Sequence, residues 1–253
     1  MQITKTILML LFIYAIECNI ISTAQENVYN LLKFGLKGNT ALTNSNHLNY
    51  MSNDWIDDVA DISNTELTRG PLSLPFNIEY GFQPFFIIRP IKPLQLGAKM
   101  DFAYSNLLAK FENSLFCEDY QLKINTKSSI PGVFVYLVLE KFEIGGGVIQ
   151  SFTRIKINDD FFGYNDRWYG ENTGYEISLG FSSSNSKEKH FGFTMNCKYR
   201  GLKINNFEDT YKRQVIQSDT QENLSVNMSG FVFEIGLYLQ FIKLQKTIDI
   251  DED

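Results

Sequence analysis

The chain has 253 residues with 23 basic and 29 acidic side chains, a formal net charge of −6, and three cysteines. The negative excess excludes a chain-wide attraction to nucleic acid, and so few cysteines exclude a disulfide scaffold. No run reaches the roughly 20 apolar residues that a membrane-spanning helix needs, and the length suits one all-β barrel better than two domains.

Residues 1–25 read as a secretory signal peptide. Lys5 opens a short positive region, residues 7–16 form an apolar run, and Ser22-Thr23-Ala24 offers small residues for cleavage. Glu17 and Asn19 interrupt the run before it is long enough to span a bilayer. Cys18 follows Glu17 where a lipid-attachment cysteine would follow a small residue, so no lipid anchor is expected. Cleavage removes Lys5 and Glu17 together and leaves the net charge unchanged. Cys117 and Cys197 remain and are expected to be unpaired, because the first falls in a connection and the second alternates with Phe193, Met195 and Tyr199 on an apolar face.

Residues 26–242 then alternate apolar and polar positions in about eight segments, and 243–253 form an acidic tail. A period of two places one residue set on each face of a sheet. The first strand, 31–42, sets Leu32, Phe34 and Leu36 against Lys33, Gly35 and Lys37. The second, 72–88, sets Phe76, Ile78, Tyr80 and Phe82 against Asn77, Glu79, Gly81 and Gln83, and residues 89–93 with two prolines read as a tight connection. The third, 94–111, sets Leu96, Ala98, Met100 and Phe102 against Gly97, Lys99, Asp101 and Ala103. The fourth, 121–139, is apolar throughout from 133 to 139, so its facing stays open. After a turn at Glu140-Lys141, the fifth, 142–157, carries Glu143, Gly145, Gly147, Ser151 and Thr153 on its polar face. The sixth, 174–182, sets Tyr175, Ile177, Leu179 and Phe181 against Glu176, Ser178 and Gly180. The seventh, 191–202, sets Phe191, Phe193, Met195 and Tyr199 against Gly192, Thr194, Asn196, Lys198 and Arg200, and the eighth, 224–241, closes the series. The fold class implied is all-β, an eight-stranded antiparallel transmembrane β-barrel with an up-and-down meander.

Glycine decides which face is inside. Gly35, Gly81, Gly97, Gly145, Gly147, Gly180, Gly192 and Gly236 all fall on the polar face, where water would gain nothing from a missing side chain but a narrow lumen is crowded. That face also carries Lys33, Lys37, Lys99, Lys198 and Arg200 against Glu79, Asp101, Glu143, Glu176 and Glu234, five of each sign. Buried charges must pair, so a plugged lumen holding an internal ion network is expected rather than a water-filled pore.

The connections alternate in length. Those at 43–70, 113–120, 158–173 and 205–222 are longer than those at 89–93, 140–141 and 183–189, which is the polarity of an outer-membrane barrel with both termini on the periplasmic side. The leader ending Ser22-Thr23-Ala24-Gln25, the segments Leu74-Pro75-Phe76 and Ile130-Pro131-Gly132, and the aromatic-rich final strand 229–241 resemble the small outer-membrane β-barrel proteins of Bacteroidota. The resemblance covers nearly the whole mature chain and implies location and shape without implying one activity. It departs from the family pattern in continuing past Phe241 to Asp253.

Chemistry is sparse. His47 and His190 fall toward opposite ends of the barrel, His47 is followed by Leu48-Asn49 where the lipid A deacylase barrels have a nearby serine, and no Gly-x-Ser-x-Gly elbow occurs. No catalytic residue, cofactor or metal site is expected. The acidic run 53–61 lacks calcium-loop spacing, and Trp55 and Val59, four apart, suit a short helix folded onto the rim with a solvated acidic side. The connection 158–173 holds Phe161, Phe162, Tyr164, Trp168 and Tyr169, candidates for extracellular recognition against the plainer reading of an aromatic girdle. The expected partners are outer-membrane lipid and lipopolysaccharide and a surface or envelope protein, for a monomer in the bacterial outer membrane. The alternatives are a narrow porin-like channel for small solutes and an accessory barrel of a secretion system.

Overall fold

A computed structural model of the protein describes residues 30–44, 46–63, 77–91, 93–113, 118–139, 141–183, 190–216 and 222–243. The leader, Cys117, the Leu74-Pro75-Phe76 segment and all of the tail but Lys243 lie outside the described residues. Strands β1 (Asn30–Thr43), β2 (Asn77–Ile91), β3 (Leu94–Asn113), β4 (Glu118–Leu139), β5 (Phe142–Asp159), β6 (Tyr164–Ser182), β7 (Phe191–Gly201) and β10 (Gly230–Lys243) close into an antiparallel barrel. Each strand pairs with its neighbour in sequence, and β1 pairs with β10 in unbroken register from Asn30↔Lys243 to Thr43↔Gly230. Closure leaves no free sheet edge along the lipid-facing band. A helix, α1 (Asn46–Ser63), and a small hairpin, β8 (Lys203–Asn205) with β9 (Ser225–Asn227), are inserted at one end, here termed the mouth. The β2–β3, β4–β5 and β6–β7 connections and both ends of the described barrel lie at the other end, the base.

Alternation explains the wall. On β10, Phe231, Phe233, Ile235, Leu237, Leu239 and Phe241 are exposed, while Val232, Glu234, Tyr238 and Gln240 are buried. Outward apolar runs recur at 78–88, 96–104, 131–139, 142–148, 175–181, 191–199 and 231–241, several of them the roughly 9–11 residues that take a tilted strand across a bilayer. The ambiguous stretch of β4 resolves with Phe134, Tyr136 and Val138 inward and Val133, Val135 and Leu139 outward. The inward rings need space that glycine supplies. Gly145 and Gly147 lie opposite Tyr136 and Phe134, and a Cβ on either glycine would collide with the facing ring.

Several boundaries differ from the sequence expectation. β2 continues through Arg89 to Ile91 past an irregularity between Ile88 and Ile91, where Pro90 is in register with neither neighbouring strand, so the expected connection 89–93 shrinks to 92–93. The expected connection 158–173 is instead the top of a β-hairpin, since β5 runs to Asp159, β6 begins at Tyr164 and Gly163, at φ 72°, completes the turn. Likewise β3 and β4 extend to Asn113 and from Glu118, shortening the connection 113–120. The expected eighth strand divides into β9 and β10, and the 205–222 connection follows the short strand β8.

The reason for the longer strands is that β3 to β6 continue above the lipid-facing band with their polarity reversed. There Leu122, Ile124, Ile130, Ile149, Ile155 and Ile157 point inward and pack with Leu48, Trp55 and Val59 of α1 and with Leu202, Ile204, Phe207, Leu224 and Val226. Asp57, Asp58 and Asp61 on the far side of α1 are exposed. The helix is 18 residues long and closes the mouth from within its apolar core.

Candidate functional site

Inward positions of seven strands bring the lumen charges together. Arg200 is the hub: its guanidinium donates to Glu79 (3.1 Å), Asp101 (2.6 Å) and Glu176 (3.1 Å). Glu176 also receives Lys99 and lies 3.7 Å from Lys198, which pairs with Glu234, and Glu234 accepts from Lys37 at 3.1 Å. These eight groups form one neutral cluster of four cations and four carboxylates. Toward the base, Lys33 pairs with Glu143 at 3.3 Å and reaches Ser182, whose hydroxyl meets Tyr238 at 2.7 Å. Every one of the ten charged positions named from the sequence is buried and ion-paired.

Aromatic rings fill the space between them. Lys37 lies over Phe85 (4.8 Å to the ring centre), Lys99 and Lys198 over Phe134 (4.7 and 5.4 Å) and Lys33 over Tyr238 (4.9 Å), so each ammonium has a π face as well as a carboxylate. The sequence reading missed one member. Arg89, assigned to a turn, is the inward end of β2, and with the Gln95 amide oriented to accept, its Nε and Nη2 donate to that oxygen at 3.2 and 2.9 Å. Above the charges comes a hydroxyl layer: the Thr153 hydroxyl bonds those of both Ser128 and Ser151, with Ser128 and Thr153 also directed at Met228 Sδ. The apolar core of the mouth follows. Among the described residues, charged, hydroxyl and apolar side chains thus follow one another on the inward face from base to mouth.

A concavity is present on the outside. A cleft of about 640 Å³ opens between the β5–β6 wall and the segment 205–214. Phe152, Arg154, Tyr169 and Glu171 line one side, and Asn206, Glu208 and Gln214 the other. The segment is fixed by strand addition: Tyr169 and Glu208 exchange two backbone hydrogen bonds of 2.8 Å, extending β6 where β7 has already ended. Gly170 makes room for this, since a Cβ there would sit 2.8 Å from both Ile204 and Phe207. Two exposed rings, a guanidinium, carboxylates and amides in one concavity suit a ligand with both flat apolar faces and hydroxyl or amide groups.

The five aromatic residues named from the sequence do not share one surface. Tyr169 faces out into the cleft, whereas its neighbour Trp168 packs against the mouth core, as a period of two requires. Phe161 meets Tyr120 edge-on (4.8 Å) and Phe162 (4.9 Å), and Phe162 stacks on Tyr164 at the tip of the hairpin. Asp159 Oδ1 accepts from the amides of Phe161 and Phe162, which holds that tip in shape. Phe152, Asn206, Glu208 and Gln214 were not named from the sequence. The outward Phe152 between Gln150 and Arg154 was the available signal.

Among the described residues of the cleft there is no histidine, cysteine or serine. His190 sits at the base with Nδ1 3.4 Å from the Gln240 carbonyl, and His47 falls in α1 at the mouth. Cys197 is a free thiol on the outward face of β7. Among the described residues no cluster of histidine, cysteine and carboxylate groups is placed to hold a metal ion.

No protein-family model and no curated protein matches the sequence. Solved structures are similar to it in fold. Ail, the attachment invasion locus protein of Yersinia pestis, is 10% identical over 85% of this chain and 100% of that chain, with a TM-score of 0.44. OprG from Pseudomonas aeruginosa is 10% identical over 85% of this chain and 97% of its own, with a TM-score of 0.44. The outer membrane protease OmpT from Escherichia coli is 9% identical over 86% and 98%, with a TM-score of 0.38. The structures this chain is similar to are outer-membrane β-barrel proteins, and the likeness is one of fold.

Proposed function

We propose that this protein is a monomeric barrel of a bacterial outer membrane, of the small Bacteroidota type, exported by its 1–25 leader and embedded among lipid and lipopolysaccharide. Its lumen is plugged, it is not an enzyme, and its role is interaction with a surface molecule at the cleft. The observation that supports this reading is that the Arg200 cluster and the α1 core take the inward positions, while a cleft opens on the outer wall beside Tyr169. A transport channel would need the reverse. In this reading the mouth faces the exterior, because the long insertions and the cleft are there.

The test is twofold. The purified protein recorded in planar bilayers should give rare, very small openings; stable, large conductance would favour the channel. In a background with Cys117 and Cys197 replaced by serine, Asn165→Cys should label on intact cells with an impermeant reagent and Lys141→Cys should not. The opposite pattern would invert the topology and remove the cleft from the cell surface.

A further inference from the structure

Above the lipid-facing band, the outer wall of β3 to β6 is basic, although the chain as a whole is acidic. Lys110, Lys123, Lys127, Arg154, Lys156 and Arg167 all alternate onto the outward face there, with Glu171 on the same face, Glu208 across the cleft from Arg154, and Asp160 and Asp166 exposed at the hairpin tip. The register sets like charges face to face: Lys127 lies directly opposite Arg154, and Lys156 directly opposite Arg167. Directly opposed like charges destabilise a sheet pair. Among the described residues none of the six cations has a carboxylate within ion-pairing distance, whereas every charge named for the lumen does. The wall therefore holds a repulsive arrangement that an external anion would relieve.

Height on the barrel identifies the anion. Tyr80 and Tyr104 stack at 6.3 Å where the apolar band ends, the position at which tyrosines settle among lipid headgroups. Lys127 is the next residue along that row, opposite Tyr104 in register with its ammonium 5.6 Å from the ring centre, and Arg154 follows it. The foot of the basic wall thus stands at headgroup level.

We propose that this wall binds the phosphate groups of a phosphorylated glycolipid of the outer leaflet, lipopolysaccharide. Lys127 and Arg154 meet the phosphates nearest the membrane, and Lys123, Lys156 and Arg167 meet those of the sugar region above. The proposal rests on the outer-membrane reading with the mouth outward. It shares Arg154 with the cleft but otherwise uses the cationic wall rather than the Tyr169 concavity.

The experiment compares the full chain with the variant Lys123→Gln/Lys127→Gln/Lys156→Gln/Arg167→Gln, which leaves the cleft's Arg154 in place. Binding of purified lipopolysaccharide to the detergent-folded barrel is measured by native mass spectrometry and by titration at rising salt. Affinity should fall about tenfold or more in the variant, and as far for the full chain with dephosphorylated lipopolysaccharide. Lys127→Arg/Lys156→Arg should keep it. Equal affinity in the glutamine variant, or for the dephosphorylated probe, would overturn the site, as would equally tight binding of inorganic phosphate or phosphatidylglycerol vesicles. Heat-modifiable migration and Asn165→Cys labelling on the same variant separate this failure from that of the underlying reading. A folded barrel labelled from outside that ignores lipopolysaccharide loses only the site, while labelling from the wrong side loses the membrane orientation on which the site depends.

Discussion

Along β5, residues 142–148 present Phe142, Ile144 and Val148 outward and Glu143 inward, whereas 149–157 present Ile149, Ile155 and Ile157 inward and Arg154 and Lys156 outward. Pairing with β6 continues without interruption from Phe142 to Asp159, so nothing in the backbone separates the two halves. The medium outside separates them. Where lipid covers the wall, burying apolar side chains in the lumen gains nothing over leaving them in lipid, and the interior coheres through ion pairs and hydrogen bonds. Where water covers the wall, removing apolar surface from it is favourable again and the interior becomes an ordinary core. One sheet thus encloses two interiors with different cohesion, and substitutions in each should fail differently.

The largest expected effect follows removal of the hub. Arg200→Met leaves Glu79 and Asp101 buried without the cation that neutralises them, and should destabilise the barrel by about 3–5 kcal/mol. Urea titration of the heat-modifiable fraction reads this directly. Phe207→Ala in the mouth core removes comparable free energy, about 3–5 kcal/mol, but should loosen only α1 and the 202–229 insertion to protease while the barrel band persists. An unchanged urea midpoint for Arg200→Met would mean that water reaches those carboxylates, and the contrast between the interiors would dissolve.

A smaller effect locates the boundary. Met195 lies at the middle of the outward run of β7, and Met195→Arg should cost about 2–4 kcal/mol, the range for a cation at bilayer mid-depth. Gln150 is the first outward residue of β5 after Val148 and accepts from Thr173 Oγ1 at 2.6 Å, and Gln150→Arg should cost no more than about 1 kcal/mol, the worth of that hydrogen bond. Equal costs at the two positions would place lipid against the basic wall and refute the division of β5.

The same division explains what could be read from sequence. Period-two alternation exposed the lower half because its two faces differ sharply, as Phe231, Phe233 and Ile235 do from Glu234 and Gly236. The ion network was legible for the same reason, since pairing follows once ten charges are confined to one narrow lumen. The upper half escaped because residues 164–173 change the sign of the pattern: Trp168 turns inward while Arg167, Tyr169 and Glu171 turn outward, and a rule of apolar-outward finds no strand there. Arg89 was lost to the prolines beside it, and Glu208 because its partner, the free upper edge of β6, exists only after β7 ends early. The cleft depends on that long-range strand addition, which no local spacing records.

The smallest expected effect is confined to the water-facing half. Asp209 Oδ1 accepts from the amides of Tyr211 (2.8 Å) and Arg213 (2.9 Å), and its Oδ2 accepts from Arg213 Nε (2.7 Å). These bonds close the turn that carries Glu208 against Tyr169, with Lys212 at φ 62°. The Arg213 amide, aided by its guanidinium and the Tyr211 amide, favours the charged carboxylate and holds its pKa below the usual aspartate value. A depressed pKa adds order that is present above the ordinary aspartate value and is lost as pH falls through the folded one. Amide exchange at Tyr211 and Arg213 should accordingly stay protected from neutral pH down through the ordinary aspartate range and rise only in stronger acid. Asp209→Asn should flatten that dependence and leave the barrel's migration untouched, since the turn is solvated and touches none of the lumen pairs. Identical exchange profiles in the two proteins would show that strand addition at Tyr169 alone fixes the segment, and that the turn's charge contributes nothing to the shape of the cleft.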